Sequence, residues 1–115
     1  MTDSGIVLVS TVIDDRAEAD RIARELVETR RAACAQVSAE PVTSVYWWPS
    51  EETGEPEVQT AREWAVTAKT TAAAADACVA AVVELHSYDT PEVLVTPVTG
   101  GHDAYLEWVA TETRI

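Results

Sequence analysis

The sequence predicts an α+β domain, a ferredoxin-like βαββαβ sandwich with an extra C-terminal helix. Short apolar runs rich in β-branched residues alternate with helical stripes in the order strand, helix, strand, strand, helix, strand. The chain has 115 residues, 47% of them apolar, which is enough to bury one core without disulfides or metals. No repeat or linker divides the sequence, so residues 1–115 are interpreted as a single domain.

The first strand and the first helix are predicted from residues 6–31. The apolar run Ile6–Ile13 is typical of a central strand buried on both faces. Asp15, with Glu18 three residues later, forms a capping box and predicts a helix that continues to Arg31. That helix carries one apolar stripe, made of Ile22, Ala23, Leu26 and Val27.

A long hairpin is predicted next. Cys34–Val37 and Val42–Trp48 are two strand pieces, and a bend is expected at Pro41, because proline cannot donate to a strand ladder. Residues 49–57 are rich in Glu, Pro, Gly and Ser, which indicates an exposed tip. Trp64–Thr70 returns as a strand, with Trp64, Val66 and Ala68 on one face.

The second half repeats the helix and strand pattern. Thr70 or Thr71 is expected to cap an alanine-rich helix that ends near Leu85. Residues 93–96 predict a strand that Pro97 keeps short or places at an edge. Asp103 is expected to cap the last helix, whose predicted buried residues are Tyr105, Leu106 and Val109. Right-handed crossovers place the first two helices on one face of the sheet.

The other face of such a sheet is open. Tyr46, Trp47 and Trp48 are consecutive in a strand, so their rings alternate between the two faces. An aromatic ring buries about 150–250 Å² when it is enclosed, so leaving these rings in water forgoes a few kcal/mol. The run therefore predicts that the chain forms an oligomer.

Charge and cysteine content exclude several classes of protein. The net charge is −12, which disfavours nucleic acid as a partner, because a basic patch would be needed to bind phosphates. Cys34 and Cys78 lie among small apolar residues and are interpreted as buried thiols in a reducing compartment. No membrane span or signal peptide is evident, so the expected location is cytoplasmic.

Five segments carry a resemblance to a known family. They are Ala32–Ala35, Ser44–Trp48, Lys69–Thr70, His86–Glu92 and Tyr105–Trp108. In this order they resemble the CutA-type divalent-cation tolerance proteins, over nearly the whole chain. The resemblance implies a homotrimer built through the long hairpin, a shape similar to the PII signalling proteins, and a link to tolerance of copper and other divalent metals.

Two positions depart from what the resemblance implies for copper. Ser10 stands where copper-binding relatives can carry a cysteine, and Leu85 stands where they can carry a second histidine beside His86. A thiolate is the ligand that selects copper(I), so these two departures weaken the expectation of tight copper binding.

Candidate ligand-binding residues cluster around His86. His86 is interpreted as a divalent-metal ligand together with Glu92, or alternatively as a loop histidine that bonds to the backbone. Tyr88, Pro91 and Lys69 are interpreted as parts of a cleft between subunits. The alternative is that Pro91 stiffens a turn and that Glu92 either bonds to backbone amides or pairs with Lys69, the only lysine of the chain.

An enzyme is not expected, because the sequence contains no nucleophile elbow, Walker loop or dinucleotide fingerprint. Three functions remain open at this point. The first is a homotrimer that binds or responds to divalent ions, the second is a PII-like module for a small metabolite, and the third is a structural trimer.

Overall fold

The computed structural model describes residues 3–114. In chain order the elements are β1 (Ile6–Ile13), α1 (Arg16–Glu28), β2 (Cys34–Val37), β3 (Val42–Pro49), β4 (Pro56–Thr71), α2 (Ala75–Leu85), β5 (Val93–Val98) and α3 (Asp103–Glu112). This order of strands and helices confirms the predicted succession, including the extra C-terminal helix.

The sheet is antiparallel throughout, with β2, β4, β1 and β5 as successive neighbours and β3 paired with β4. β2 and β3 lie one after the other along β4 and together take the place of a single strand. The two βαβ units are therefore interleaved, which is the ferredoxin-like arrangement. β1 lies at the centre, between β4 and β5.

The main core lies between the sheet and the two helices α1 and α2. Alternate residues of β1 point into it, and Ile13 is fully buried beside Ile22 and Leu26 of α1. Cys78 and Val82 of α2 are buried in the same core. The opposite face of β1 is only half-buried, except at its first residue, so the expectation that both faces are buried was wrong along most of the strand.

The third helix covers one end of the other face. Val109 of α3 is fully buried against Ile6 and Ala33. The backbone N–H of Arg114 donates to the carbonyl of Arg30 at 2.7 Å and ties the end of this segment to the region after α1. The rest of the open face and most of the hairpin remain uncovered in a single copy.

The hairpin projects from the body of the molecule. β4 is 16 residues long, and its first half pairs only with β3. The radius of gyration is 15.5 Å, against about 13 Å for a compact chain of this length, and the longest dimension is 51 Å. We call residues 42–63 the hairpin arm; its β3 residues are exposed except for Ser44, which is half-buried.

Two helix boundaries differ from the predicted ones. α1 ends at Glu28 instead of Arg31, because Arg30 adopts φ 63, a left-handed conformation that terminates a helix. α2 begins at Ala75, since β4 continues to Thr71 and a short turn intervenes. In that turn the Thr71 hydroxyl accepts a hydrogen bond from the N–H of Ala74 at 3.1 Å.

Three smaller predictions also need correction. β5 runs on to Val98 instead of ending at residue 96, while its position at the edge of the sheet confirms the alternative that Pro97 predicted. Cys34 is only half-buried, and its sulfur lies 3.3 Å from the hydroxyl of Tyr105 on α3. Tyr105 itself is 41% exposed, so it belongs to the surface of α3 and not to its buried side.

Candidate functional site

A cavity of about 740 Å³, within the range of small-molecule sites, lies at the base of the hairpin arm. Its walls come from β3, β4, the end of β1 and the loop after α2. We call this cavity the cleft. The lining residues are Val12, Asp14, Ser44, Val45, Tyr46, Trp47, Trp48, Ala61, Glu63, Tyr88, Asp89, Thr90 and Glu92.

The loop after α2 is held against the end of β1 by His86. β5 pairs with β1 only as far as Thr11, so the carbonyl of Val12 has no strand partner on that side. The Nε2 atom of His86 lies 2.9 Å from this carbonyl oxygen, and its Nδ1 accepts the N–H of Tyr88 at 3.1 Å. His86 thereby replaces the missing strand partner and positions Tyr88.

These two contacts fix the role of the His86 ring. Because Nδ1 accepts a hydrogen bond, Nε2 carries the proton and donates it to the carbonyl of Val12. Neither nitrogen then has a free lone pair for a metal ion. The side chain is also buried, so the geometry matches the alternative interpretation of His86 as a histidine that bonds to the backbone.

A buried carboxyl group and a phenol form the floor of the cleft. Glu63 is only 6% exposed, and the Tyr88 hydroxyl donates to its Oε2 at 2.7 Å. The pKa of Tyr88 is raised above its ordinary value by burial, by this hydrogen bond, and by the negative charges of Glu63 and Asp14. Tyr88 therefore remains a hydrogen-bond donor throughout the physiological pH range.

The structure gathers five of the eight candidate residues at the cleft, namely Tyr46, Trp47, Trp48, Tyr88 and Glu92. The other three, His86, Lys69 and Pro91, do not line it. The Nζ of Lys69 donates to the side-chain oxygen of Gln36. Lys69 does not pair with Glu92. Lys69 lies opposite Leu8 in the first half of β1, whereas Glu92 precedes Val93, which lies opposite Thr11 in the second half.

Three acidic residues of the cleft were not identified as candidates from the sequence, namely Glu63, Asp14 and Asp89. Glu63 belongs to a strand in which Trp64 and Val66 face the helices, so alternation alone places Glu63 on the open face. That signal was present in the sequence. The contact with Tyr88 joins residues 25 positions apart, and no spacing rule indicates it.

A metal centre is not formed by the described part of one copy. Among residues 3–114, no three His, Cys, Asp or Glu side chains come close enough together to hold an ion. The same part of the chain contains no helix long and apolar enough to cross a membrane. The predicted metal ligands His86 and Glu92 are thus not brought together with a third donor.

Comparisons with known proteins agree with the fold. Residues 7–112 match the family model described as CutA1 divalent ion tolerance protein. The divalent-cation tolerance protein CutA of Pectobacterium atrosepticum is 36% identical over 109 residues, which cover 95% of this chain and 92% of that protein. The crystal structure of CutA1 from Oryza sativa has a TM-score of 0.86 and 32% identity, covering 99% of this chain and 98% of that one.

Plant relatives are longer. The chloroplastic protein CutA 1 of Oryza sativa is 33% identical over 108 residues, and the match covers 94% of this chain but 57% of that protein. For the chloroplastic CutA of Arabidopsis thaliana the covered share is 56%. The chain thus spans a little over half of the plant relatives and nearly all of the bacterial one. With a family model that matches nearly the whole chain, the protein belongs to the CutA1 divalent ion tolerance family.

Proposed function

We propose that this chain acts in divalent-cation tolerance as a homotrimer that binds or responds to divalent metal ions, copper among them. The observation that carries the assembly is the apolar surface of the hairpin arm. Trp47 is 69% exposed, Val45 66% and Val58 53%, and Trp47 lies directly opposite Val58 on the paired strand. Exposed apolar surface of this kind marks a protein interface.

The proposal is of a binding protein and not of an enzyme, without nucleic acid among its partners and located in the cytoplasm. The free thiols of Cys34 and Cys78 support a reducing compartment. The net charge of −12 supports cations as ligands and disfavours phosphate backbones.

The residues of one copy do not fit a tightly held metal ion. Both nitrogens of His86 are hydrogen-bonded to backbone groups. Glu92 is exposed, and within residues 3–114 it does not lie near two further ligand side chains that could hold an ion with it. Metal contact is therefore proposed at exposed carboxylates such as Glu92, or between copies, with weak affinity. Oxygen donors of this kind suit hard divalent ions better than copper(I).

Titration of wild type and His86→Ala with Cu(II) and Zn(II) tests this assignment, with His102→Ala as the control because His102 is exposed. His86→Ala leaves a buried carbonyl and a backbone N–H unpaired, so we expect a loss of about 1–3 kcal/mol in the free energy of unfolding. We expect its metal affinity to stay within about twofold of wild type.

Light scattering on the same wild-type protein tests whether it assembles into a trimer. A monomeric mass, or calorimetry without any metal effect, would reject the proposed function. Loss of copper binding in His86→Ala but not in His102→Ala would reject only the backbone role assigned to His86.

A PII-like module that binds a small metabolite is the second candidate. The cleft favours it, since it offers about 740 Å³, four aromatic residues and several polar groups. Calorimetry with a panel of nucleotides and small cations separates the two candidates, because only the second requires a saturable organic ligand.

A further inference from the structure

A second exposed aromatic surface lies on α3, away from the hairpin arm. This helix packs on the sheet through Val109, while Tyr105 and Trp108, three positions apart on another side of the helix, face outward. The centres of the two rings lie 5.6 Å apart. We call these two rings, together with the adjacent strand residues Cys34 and Lys69, the helix patch. Exposed apolar surface of this kind marks a protein interface.

Lys69 gives the helix patch a positive charge. It lies directly opposite Cys34 in the β2–β4 pair, and the sulfur of Cys34 lies 3.3 Å from the Tyr105 hydroxyl. The Nζ of Lys69 donates to the side-chain oxygen of Gln36, and none of the ion pairs formed within residues 3–114 includes Lys69. A half-buried ammonium group is stabilised by an opposite charge, so the helix patch is suited to receive a carboxylate from another copy.

The tip of the hairpin arm carries the opposite charge. Residues 49–57 contain four glutamates and no lysine or arginine, and they adjoin the exposed pair of Trp47 and Val58. Glu57 and Lys69 are twelve positions apart on the continuous strand β4, which corresponds to about 40 Å. The tip of one copy therefore cannot reach its own Lys69, and a contact between tip and helix patch needs two copies.

The positions of the two surfaces decide how copies can meet. The arm is built on the first half of β4, whereas the helix patch lies beside the last part of that strand. In a two-fold contact a surface meets its own equivalent, which leaves the other surface in water. A head-to-tail contact brings the arm of one copy to the helix patch of the next and covers both surfaces at once. Repeated around a three-fold axis, this contact closes into a ring of three.

We propose that the hairpin arm of one copy binds the helix patch of the next copy in a head-to-tail contact. Trp47 and Val58 pack against the two aromatic rings of α3, and a carboxylate of the tip pairs with Lys69. Apolar surface meets apolar surface, and the acidic tip meets the ammonium group beside it. This inference rests on the proposed homotrimer and adds to it the surface that receives each arm.

Light scattering on variants of the full chain tests the contact. Trp108→Glu places a charge without a partner in the interface, so we expect the mass to shift from trimer toward monomer. Val83→Glu is the control, because it introduces the same charge at an exposed apolar residue of α2, and its mass should equal that of wild type. Trp108→Ala preserves helix propensity in α3 and should raise the concentration at which the trimer dissociates by about tenfold or more.

A mixture of two variants distinguishes a head-to-tail contact from a two-fold one. Trp47→Glu keeps an intact helix patch, and Trp108→Glu keeps an intact arm, so one sound contact can form between them. We expect a dimeric mass in the equimolar mixture at a concentration at which each variant alone is monomeric. A two-fold contact through either surface gives no such dimer, because every mixed pair then contains one defective surface.

Lys69→Gln tests the ion pair with the tip. It removes the charge and should weaken the trimer by about two- to fivefold, whereas Arg24→Gln, which removes a charge from an exposed position on α1, should change it by less than twofold. The proposal would be overturned, with the homotrimer left standing, by a wild-type mass for Trp108→Glu, by a mixture that stays monomeric, or by equal effects of Lys69→Gln and Arg24→Gln. A monomeric wild type would reject the homotrimer itself.

Discussion

Cys78 shows how burial alone changes the chemistry of one side chain. Its sulfur is fully buried between α2 and the sheet, and burial raises the pKa of the thiol from 9.0 to about 11, although Arg31 opposes the shift. Below pH 9.0 both the folded and the unfolded chain keep the proton. Between 9.0 and about 11 the unfolded chain loses it while the folded chain retains it.

The free energy of unfolding is therefore expected to fall as the pH rises from 9.0 to about 11. Cys78→Ala removes the titrating group, so its stability should decline less steeply across this interval, whatever its starting value. Urea unfolding at a series of pH values measures the slopes. Cys34→Ala is the control because it retains Cys78. Identical slopes for wild type and Cys78→Ala would contradict the expectation.

Residue types indicated much of the cleft, but not all of it. The aromatic run in β3 and the segment from Tyr88 to Glu92 were recognisable from the sequence, and all of their residues except Pro91 line the cleft. The pairing of Glu63 with Tyr88 and the two backbone bonds of His86 depend on how far β5 extends beside β1. Strand ends are set by tertiary packing, so these contacts could not be predicted.

At the scale of elements, the start of α1 is specified by one side chain. The Asp15 carboxylate accepts the backbone N–H of Glu18 at 3.1 Å, which confirms the cap predicted from the sequence. We expect Asp15→Ala to lower the free energy of unfolding by about 1 kcal/mol, because an N–H of the first turn loses its partner. Asp15→Ser retains a capping oxygen and should recover most of the loss. Equal stabilities of the two variants in urea unfolding would show that the cap contributes nothing.

The boundaries of the elements were less predictable than their existence and order. The apolar stripe of α1 indicated its register, but the end of the helix depends on the left-handed Arg30, and neither of its neighbours, Thr29 and Arg31, signals that conformation. β4 begins at Pro56, eight residues before the predicted start at Trp64. Its first half has polar residues on both faces, so the hydrophobic pattern could not show that it pairs with β3.

At the scale of the whole molecule, the two sides of the hairpin arm differ in polarity. The side of the hairpin arm that carries Trp47 and Val58 is apolar, while the side that carries Trp48 and Tyr46 is opposed by Glu57 and Gln59. Both sides border the cleft, since Val45 and Trp47 line it together with Tyr46 and Trp48. The exposed apolar residues of the first side, Val45, Trp47 and Val58, are the surface that we propose for assembly.

Replacing Trp47 by glutamate tests the assembly directly. A charge placed within an apolar interface is desolvated without a partner, so we expect Trp47→Glu to shift the oligomer toward monomer, and Trp48→Glu to weaken it. Val83→Glu is the matched control, since Val83 is an exposed apolar residue of α2, 48% exposed and remote from the arm. Its mass in light scattering should equal that of wild type.

A dilution series extends the test to wild type. If assembly is reversible, the melting temperature of wild type should rise with protein concentration, while that of a monomeric Trp47→Glu variant should not depend on it. An unchanged mass for both tryptophan variants would contradict assembly through the arm. The exposed aromatic surface would then need another occupant, because leaving it in water forgoes a few kcal/mol for each ring.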